Sequence, residues 1–301
     1  MIGLKDQGLD RGGVTAALAA FVFWGLVPIY YKGLQTVDAW EVLAHRIIWS
    51  VPVLLVFLAV RDGKRIWKRL RLPLSSIAWL CASGLVLALN WLVFVWAVAH
   101  DRVLDTSLGY FGSPLVSVLL GYLVLKERLI PIQFLAVVLA ATGTVFLAWY
   151  LGNPPWIAIT LALSWGVYGL LRKRLDVGPM LGLLWETALT FLPALAYLFW
   201  LGSRSTLDFL NVSMEIDLLL VGASLTTVLP LIWFNMAAQK MRLSILGFFQ
   251  YITPSMTFLL AVFLYGESFT LGHAIAFACI WLALVMVSIE PFNRARKRLR
   301  V

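Results

Sequence analysis

Three ionisable side chains stand well inside long apolar runs: His45 and Arg46 in one, and Glu186 in another. A charged group at the centre of a bilayer costs at least about 3 kcal/mol unless it faces a cavity or a partner, so such residues mark solute paths, proton relays or interhelical ion pairs. Histidine titrates near neutral pH. Glu186 lies eight residues past Gly178, about 12 Å along a helix. These properties make His45 and Glu186 candidates for coupling solute movement to protons or ions. Arg46 has three readings: contact with a solute, a latch to Glu41 or Glu186, or a side chain snorkelling outward. Glu41 and His45 are four residues apart and share a helix face.

Asn90, Asn235 and Gln250 add neutral polar groups that either bind a solute or bridge helices. Trp24, Tyr30, Tyr31, Trp91, Tyr110, Trp165, Tyr168 and Tyr251 either pack the interior or line a cavity for an amphipathic or aromatic solute, or a cation. Catalytic patterns are missing. His45, His100 and His273 are dispersed, no HExxH or CxxC spacing occurs, and no nucleophile stands beside a base. No metal or cofactor is expected. The lack of a Walker A motif argues against ATP-driven transport by this chain. Cys81 and Cys279 read as small buried hydrophobes.

The elements that must carry these groups follow from composition. Of 301 residues 61% are hydrophobic and only 13% charged, where a soluble domain has about 45–50% and about 25%. Ten apolar runs are long enough to cross a bilayer. They cover Gly13–Tyr31, Trp40–Val60, Leu74–Val98, Leu104–Leu125, Pro131–Leu151, Pro155–Leu171, Pro179–Leu201, Asp217–Ala238, Ser244–Tyr265 and Leu271–Ile289. With both termini in the cytoplasm, 20 of the 24 Lys and Arg fall on the inner side and 3 on the outer, as the positive-inside rule requires. The net charge of +9 therefore records topology and implies no nucleic-acid partner. The basic tail over 290–301 is a cytoplasmic flank that meets anionic headgroups.

The chain also repeats itself. At an offset of 141, Trp24-Gly25 matches Trp165-Gly166, Pro52 matches Pro193 and His45 falls on Glu186. At 140, Pro114 matches Pro254, Phe94 matches Phe234 and Glu127 matches Glu267, while Asn90 falls on Pro230. Two repeats, over 13–151 and 155–289, thus hold five helices each. Because five is odd, the second repeat enters from the opposite side, the inverted architecture of secondary transporters. Pro28, Pro52, Pro114, Pro193 and Pro254, with Pro230, read as hinges within helices. Glu127 and Glu267 are expected to open the fifth and tenth helices. Small residues at Ala136, Ala140, Thr144, Ala274 and Ala278 suit close packing between helices or, in a homodimer, between protomers.

Glu41-Val42-Leu43-Ala44-His45-Arg46-Ile47-Ile48-Trp49-Ser50 resembles the second helix of RarD-type proteins of the EamA family, in the drug/metabolite transporter superfamily. Leu89-Asn90-Trp91, Phe94-Val95-Trp96-Ala97-Val98 and Ser107 to Leu115 carry the same resemblance, which spans essentially the whole chain. One departure is Gly112-Ser113, where the family pattern has Ile-Asn before the proline. The resemblance implies ten helices as two inverted EamA repeats, a bacterial inner-membrane location and a link to chloramphenicol sensitivity.

Together these readings predict an all-α polytopic membrane protein that moves small metabolites or drugs by alternating access, with proton coupling as one option. An uncoupled facilitator or channel is the alternative, and a membrane-embedded enzyme fits less well. The partners expected are a small solute and the lipid bilayer.

Overall fold

The computed structural model describes residues 11–63, 66–126, 131–173, 175–240 and 249–298, which form helices joined by short turns. The helices are α1 (Arg11–Lys32), α2 (Ala39–Asp62), the single turn α3 (Ile66–Arg69), α4 (Leu74–Ala99), α5 (Val103–Leu125), α6 (Pro131–Leu151), α7 (Trp156–Lys173), α8 (Pro179–Ser203), α9 (Met214–Gly222), α10 (Leu225–Lys240), α11 (Ile252–Leu259) and α12 (Leu271–Arg298). A π-helical turn over Leu260–Leu264 continues α11. Among the described residues seven helices are long and apolar enough to cross a membrane, counting α9 and α10 as one. Three shorter apolar helices, Trp156–Arg172, Ile252–Leu264 and Leu271–Met286, accompany them.

Local chemistry sets the helix ends. Asp38 accepts a 2.9 Å bond from the Trp40 N–H at the start of α2, and Ser213 accepts from Ile216 at 3.2 Å at the start of α9; each satisfies a donor that lacks a helical acceptor. Pro179 opens α8, where its missing N–H costs nothing. The eighth apolar run is not one helix from Asp217 to Ala238. It breaks at Ala223-Ser224, where the Ser224 hydroxyl bonds the Val221 carbonyl at 3.2 Å. The ninth run is α-helical only to Leu259 and then widens into the π turn; its beginning, from Ser244, lies partly outside the described residues.

Two of the packed pairs, α2 with α8 and α4 with α7, run antiparallel. At one end of α2 the Arg61 guanidinium reaches the Met180 sulfur at the start of α8 (3.3 Å), and at the other end Tyr197 late in α8 donates to Asp38 (3.5 Å). Trp96 near the end of α4 meets Trp156 at the start of α7 with ring centroids 5.2 Å apart. Exchanging the two sequence-matched halves turns the α1–α10 pair into α7–α4, α5–α7 into α11–α1, and α4–α8 into α10–α2, and every one of these contacts is present. The pairs α2–α8, α5–α11 and α6–α12 map onto themselves and are present too.

The small residues of α6 serve packing within the chain. Ala136, Ala140 and Gly143 face α12, and a Cβ added at Gly143 would lie 2.6 Å from the Cys279 Cβ. The bundle's outward surface is apolar, with Val60 82%, Phe263 77% and Trp149 76% exposed, which suits contact with acyl chains and would be a large exposed patch in water.

Candidate functional site

Polar groups gather inside this apolar bundle in three layers. Arg46, Trp91, Tyr110 and Ser164 each lie seven or eight residues from the end of their helix on the side where α1 finishes at Lys32. At helical rise that is about 10–12 Å inward. Arg46 is 5% exposed. Its Nε donates to the Thr227 hydroxyl at 2.8 Å, and its guanidinium carbon sits 4.1 Å from the centre of the Trp91 ring and 5.7 Å from that of Tyr31. Tyr31 in turn bonds Thr226 at 2.9 Å. Beside this group Tyr110 donates to the Asn90 carbonyl oxygen at 3.0 Å, and the Asn90 amide donates to the Ser164 hydroxyl at 2.8 Å and the Leu161 carbonyl at 3.2 Å. Neither expected latch forms: among the described residues Arg46 makes no ion pair within 4 Å. Glu41 and Glu186 are each committed elsewhere.

Glu186 anchors a second layer, nearer the opposite end. One carboxylate oxygen accepts from the Ser83 hydroxyl at 2.6 Å and lies 3.6 Å from an Arg172 nitrogen, and the other accepts from Tyr168 at 3.3 Å. The carboxylate is 1% exposed, and a buried charge of this kind is held only by such partners. Arg172 also donates to the Val177 carbonyl at 3.0 Å.

The third layer lies toward the Lys32 end. Glu41 accepts backbone N–H bonds from Asp208 and Phe209 at 3.0–3.2 Å, and so ties α2 to the loop before α9. His45 Nδ1 accepts from the Trp49 indole at 3.2 Å, its ring lies 4.5 Å from Phe209, and its Nε2 is buried with no hydrogen bond among the described residues, 4.0 Å from Glu41. The antiparallel register of α2 and α8, with Asp38 against Tyr197 and Arg61 against Met180, places His45 and Glu186 at different depths, about 10 Å apart along the axis. The two sequence-matched groups therefore do not meet.

The remaining candidates spread around these layers. Trp165 is 40% exposed and meets Tyr110 edge-on at 6.3 Å. Tyr168 belongs to the Glu186 layer. Tyr30 donates to the Leu219 carbonyl, Trp24 packs with Phe21 and Phe234, Tyr251 is half-buried, and Gln250 is exposed in a turn. The Asn235 side chain and Glu127 lie outside the described residues. Of the prolines, Pro28, Pro230 and Pro254 are buried, Pro114 is half-buried, and Pro52 and Pro193 are exposed on the bundle surface. Glu267 does not open the tenth helix. It accepts the Val103 and Leu104 N–H groups at 2.7 and 2.8 Å and so caps α5 from across the bundle. Burial raises its carboxyl above the ordinary range, against the pull of those two N–H groups.

The profile of the EamA-like transporter family matches residues 11–149 and again 155–289. The chain is 45% identical over 294 residues to an "Uncharacterized transporter" of Vibrio cholerae, covering 96% of both chains. It is 40% identical over 292 residues to "Protein RarD" of Escherichia coli, covering 97% of this chain and 99% of that one. The chain is a RarD-type member of the EamA-like transporter family. A "Chloramphenicol-sensitive protein RarD" of Pseudomonas aeruginosa is 32% identical over 96% of this chain. A crystal structure that is 19% identical shares the fold at a TM-score of 0.61, over 92% of this chain and 97% of its own. With these relatives and its apolar helices, the chain is a multi-pass bacterial membrane protein, and several of its relatives are named as transporters.

Three members of the site escape a sequence reading. Arg172 reads as part of a basic flank, and Ser83 and Thr227 carry no charge to mark them in apolar runs. The repeat held one clue: at the 141 offset Arg172 falls on Tyr31, which borders Arg46.

Proposed function

We propose that this protein is a secondary transporter that carries small organic solutes across the bacterial inner membrane by alternating access. The reading has ten crossings in two inverted repeats of five, both termini in the cytoplasm, and the Lys32 end of the bundle outward. One observation carries it: α2 and α8, matched in sequence at Pro52 and Pro193, lie side by side and antiparallel. Two like units inverted about one interface have two equivalent arrangements, open to opposite sides, around a site between them. The buried layers of Arg46 and Glu186 flank that interface from opposite halves.

Glu186 is the better coupling group of the two candidates, because its carboxylate is shared among Ser83, Tyr168 and Arg172. Losing or gaining a proton there changes what Arg172 and Tyr168 hold. His45 touches Trp49 and Phe209 and stands 4.0 Å from Glu41. The relative named for chloramphenicol sensitivity makes small drugs part of the solute range to screen. The test is reconstitution in liposomes: a carrier shows saturable flux and stimulation by solute on the far side, while steady conductance in a planar bilayer would mean a channel.

A further inference from the structure

We propose that Arg46 is the anion-binding centre of the solute site and that the solute is a small organic monocarboxylate with an apolar or aromatic body. This rests on the transporter reading above and adds the class of substrate. The observation behind it is an unpaired buried cation. Arg46 spends Nε on Thr227 and one face on Trp91. Its two terminal nitrogens have no hydrogen-bond or ion-pair partner among the described residues, although the residue is only 5% exposed. A guanidinium buried in this way is costly unless a ligand supplies the missing acceptor.

The held geometry leaves the right part free. Trp91 covers the face of the planar group and Thr227 fixes its inner edge, so the outer fork of two N–H pairs remains, the shape that receives both oxygens of a carboxylate. A phosphate fits the same fork, but it carries nearly two charges at neutral pH. Among the described residues no second cation stands with Arg46: its surroundings are Tyr31, Trp91, Thr227 and the neighbouring Tyr110–Asn90 pair. A single positive charge balances a monoanion. The walls of the layer are aromatic, with Phe94 6.0 Å from both Tyr31 and Tyr110, which suits a flat or apolar body. In the matched second half position 187 holds Thr in place of Arg46, so the charge is not a feature of helix packing that both repeats need.

The experiment uses the full chain purified in detergent and in liposomes. Thermal unfolding is followed with benzoate, phenylacetate, indole-3-acetate and hexanoate, with the primary amide of each, and with inorganic phosphate. At least one carboxylate should raise Tm by several degrees while its amide, of nearly the same shape, does not. Arg46→Gln should weaken that carboxylate by about 10- to 100-fold, the worth of a charge-assisted hydrogen-bonded pair, and Arg46→Lys should retain part of the response. If Arg46→Gln does not fold, the acid–amide comparison on the unaltered protein and on Arg46→Lys decides. Amides as effective as acids, an unaltered carboxylate response in Arg46→Gln, stabilisation by phosphate alone, or no response across the panel would each overturn the assignment. Counterflow of the stabilising acid separates the two layers of the argument. Binding without counterflow removes the transporter reading and leaves the anion site, whereas counterflow of a neutral solute untouched by Arg46→Gln does the reverse.

Discussion

Ser83 donates a 2.6 Å hydrogen bond to the carboxylate of Glu186, joining α4 to α8 at a point where neither residue reaches water. The backbones are just as close, for a Cβ built on Gly84 would stand 3.0 Å from the Glu186 carbonyl oxygen. A proton taken up by Glu186 would therefore act on the contact that seats these two helices.

Glu186→Gln keeps the shape of this contact and removes its charge. In proteoliposomes it should abolish solute flux driven by an imposed pH gradient while leaving solute–solute exchange within about threefold of the parent. Equal gradient-driven flux in the variant would remove the coupling role.

Gly84→Ala and Gly109→Ala test the helix approach. At Gly109 the added Cβ would lie 2.8 Å from the Ala158 carbonyl oxygen, a backbone atom that cannot swing aside. Overpacking of this kind costs about 1–3 kcal/mol, so Gly109→Ala should unfold at clearly lower temperature in detergent. Gly84→Ala should also impair gradient-driven flux, since the atom it crowds belongs to Glu186. Unchanged melting of Gly109→Ala would mean that α5 and α7 pack less closely than described.

Glu267 gives a pH dependence with a definite sign. Its carboxyl is raised in the fold because burial outweighs the bonds from Val103 and Leu104, so its contribution to stability is complete below the unfolded-state value and is lost as pH rises through the folded one. Tm of the parent should therefore fall relative to Glu267→Gln as pH goes from 4 to 8. Glu267→Ala leaves the two N–H groups at the start of α5 without acceptors and should cost about 1–3 kcal/mol at any pH in that range. A parent that gains on Glu267→Gln as pH rises would contradict the assignment.

Lys32 pairs with Asp101 across the turns that follow α1 and α4. In a background lacking Cys81 and Cys279, cysteines at 32 and 101 joined by a short reducible cross-linker should stop transport, and reduction should restore it. Transport that continues with the link in place would show that this end need not open.

What could be read from the sequence follows from what each force leaves in it. Apolar length marks a helix whatever its neighbours, so the runs holding α1, α2, α4, α5, α6 and α8 were plain. Residue spacing also put His45, Arg46 and Glu186 in the interior, because a charge in an apolar run is conspicuous. Partner choice was not legible. Arg46 could have met Glu41 or Glu186 by type alone, and only the antiparallel register of α2 and α8 shows that Glu186 sits at another depth with Arg172. Glu267 looked like a residue opening its own helix because sequence shows a neighbour four positions away and not a helix start more than 160 positions away. The break at Ala223-Ser224 escaped because no Pro or charge marks it.

The most direct measurement of alternating access is the pair of distance distributions at the two ends, read by pulsed electron spin resonance. One sample carries spin labels at Gln35 and Leu210, and another carries them at Asp176 and Arg69, the positions matched to the first pair at the 141 offset. Each pair should show a short and a long population, and conditions that lengthen one pair should shorten the other. A single fixed distance at both ends, or both pairs lengthening together, would contradict the account.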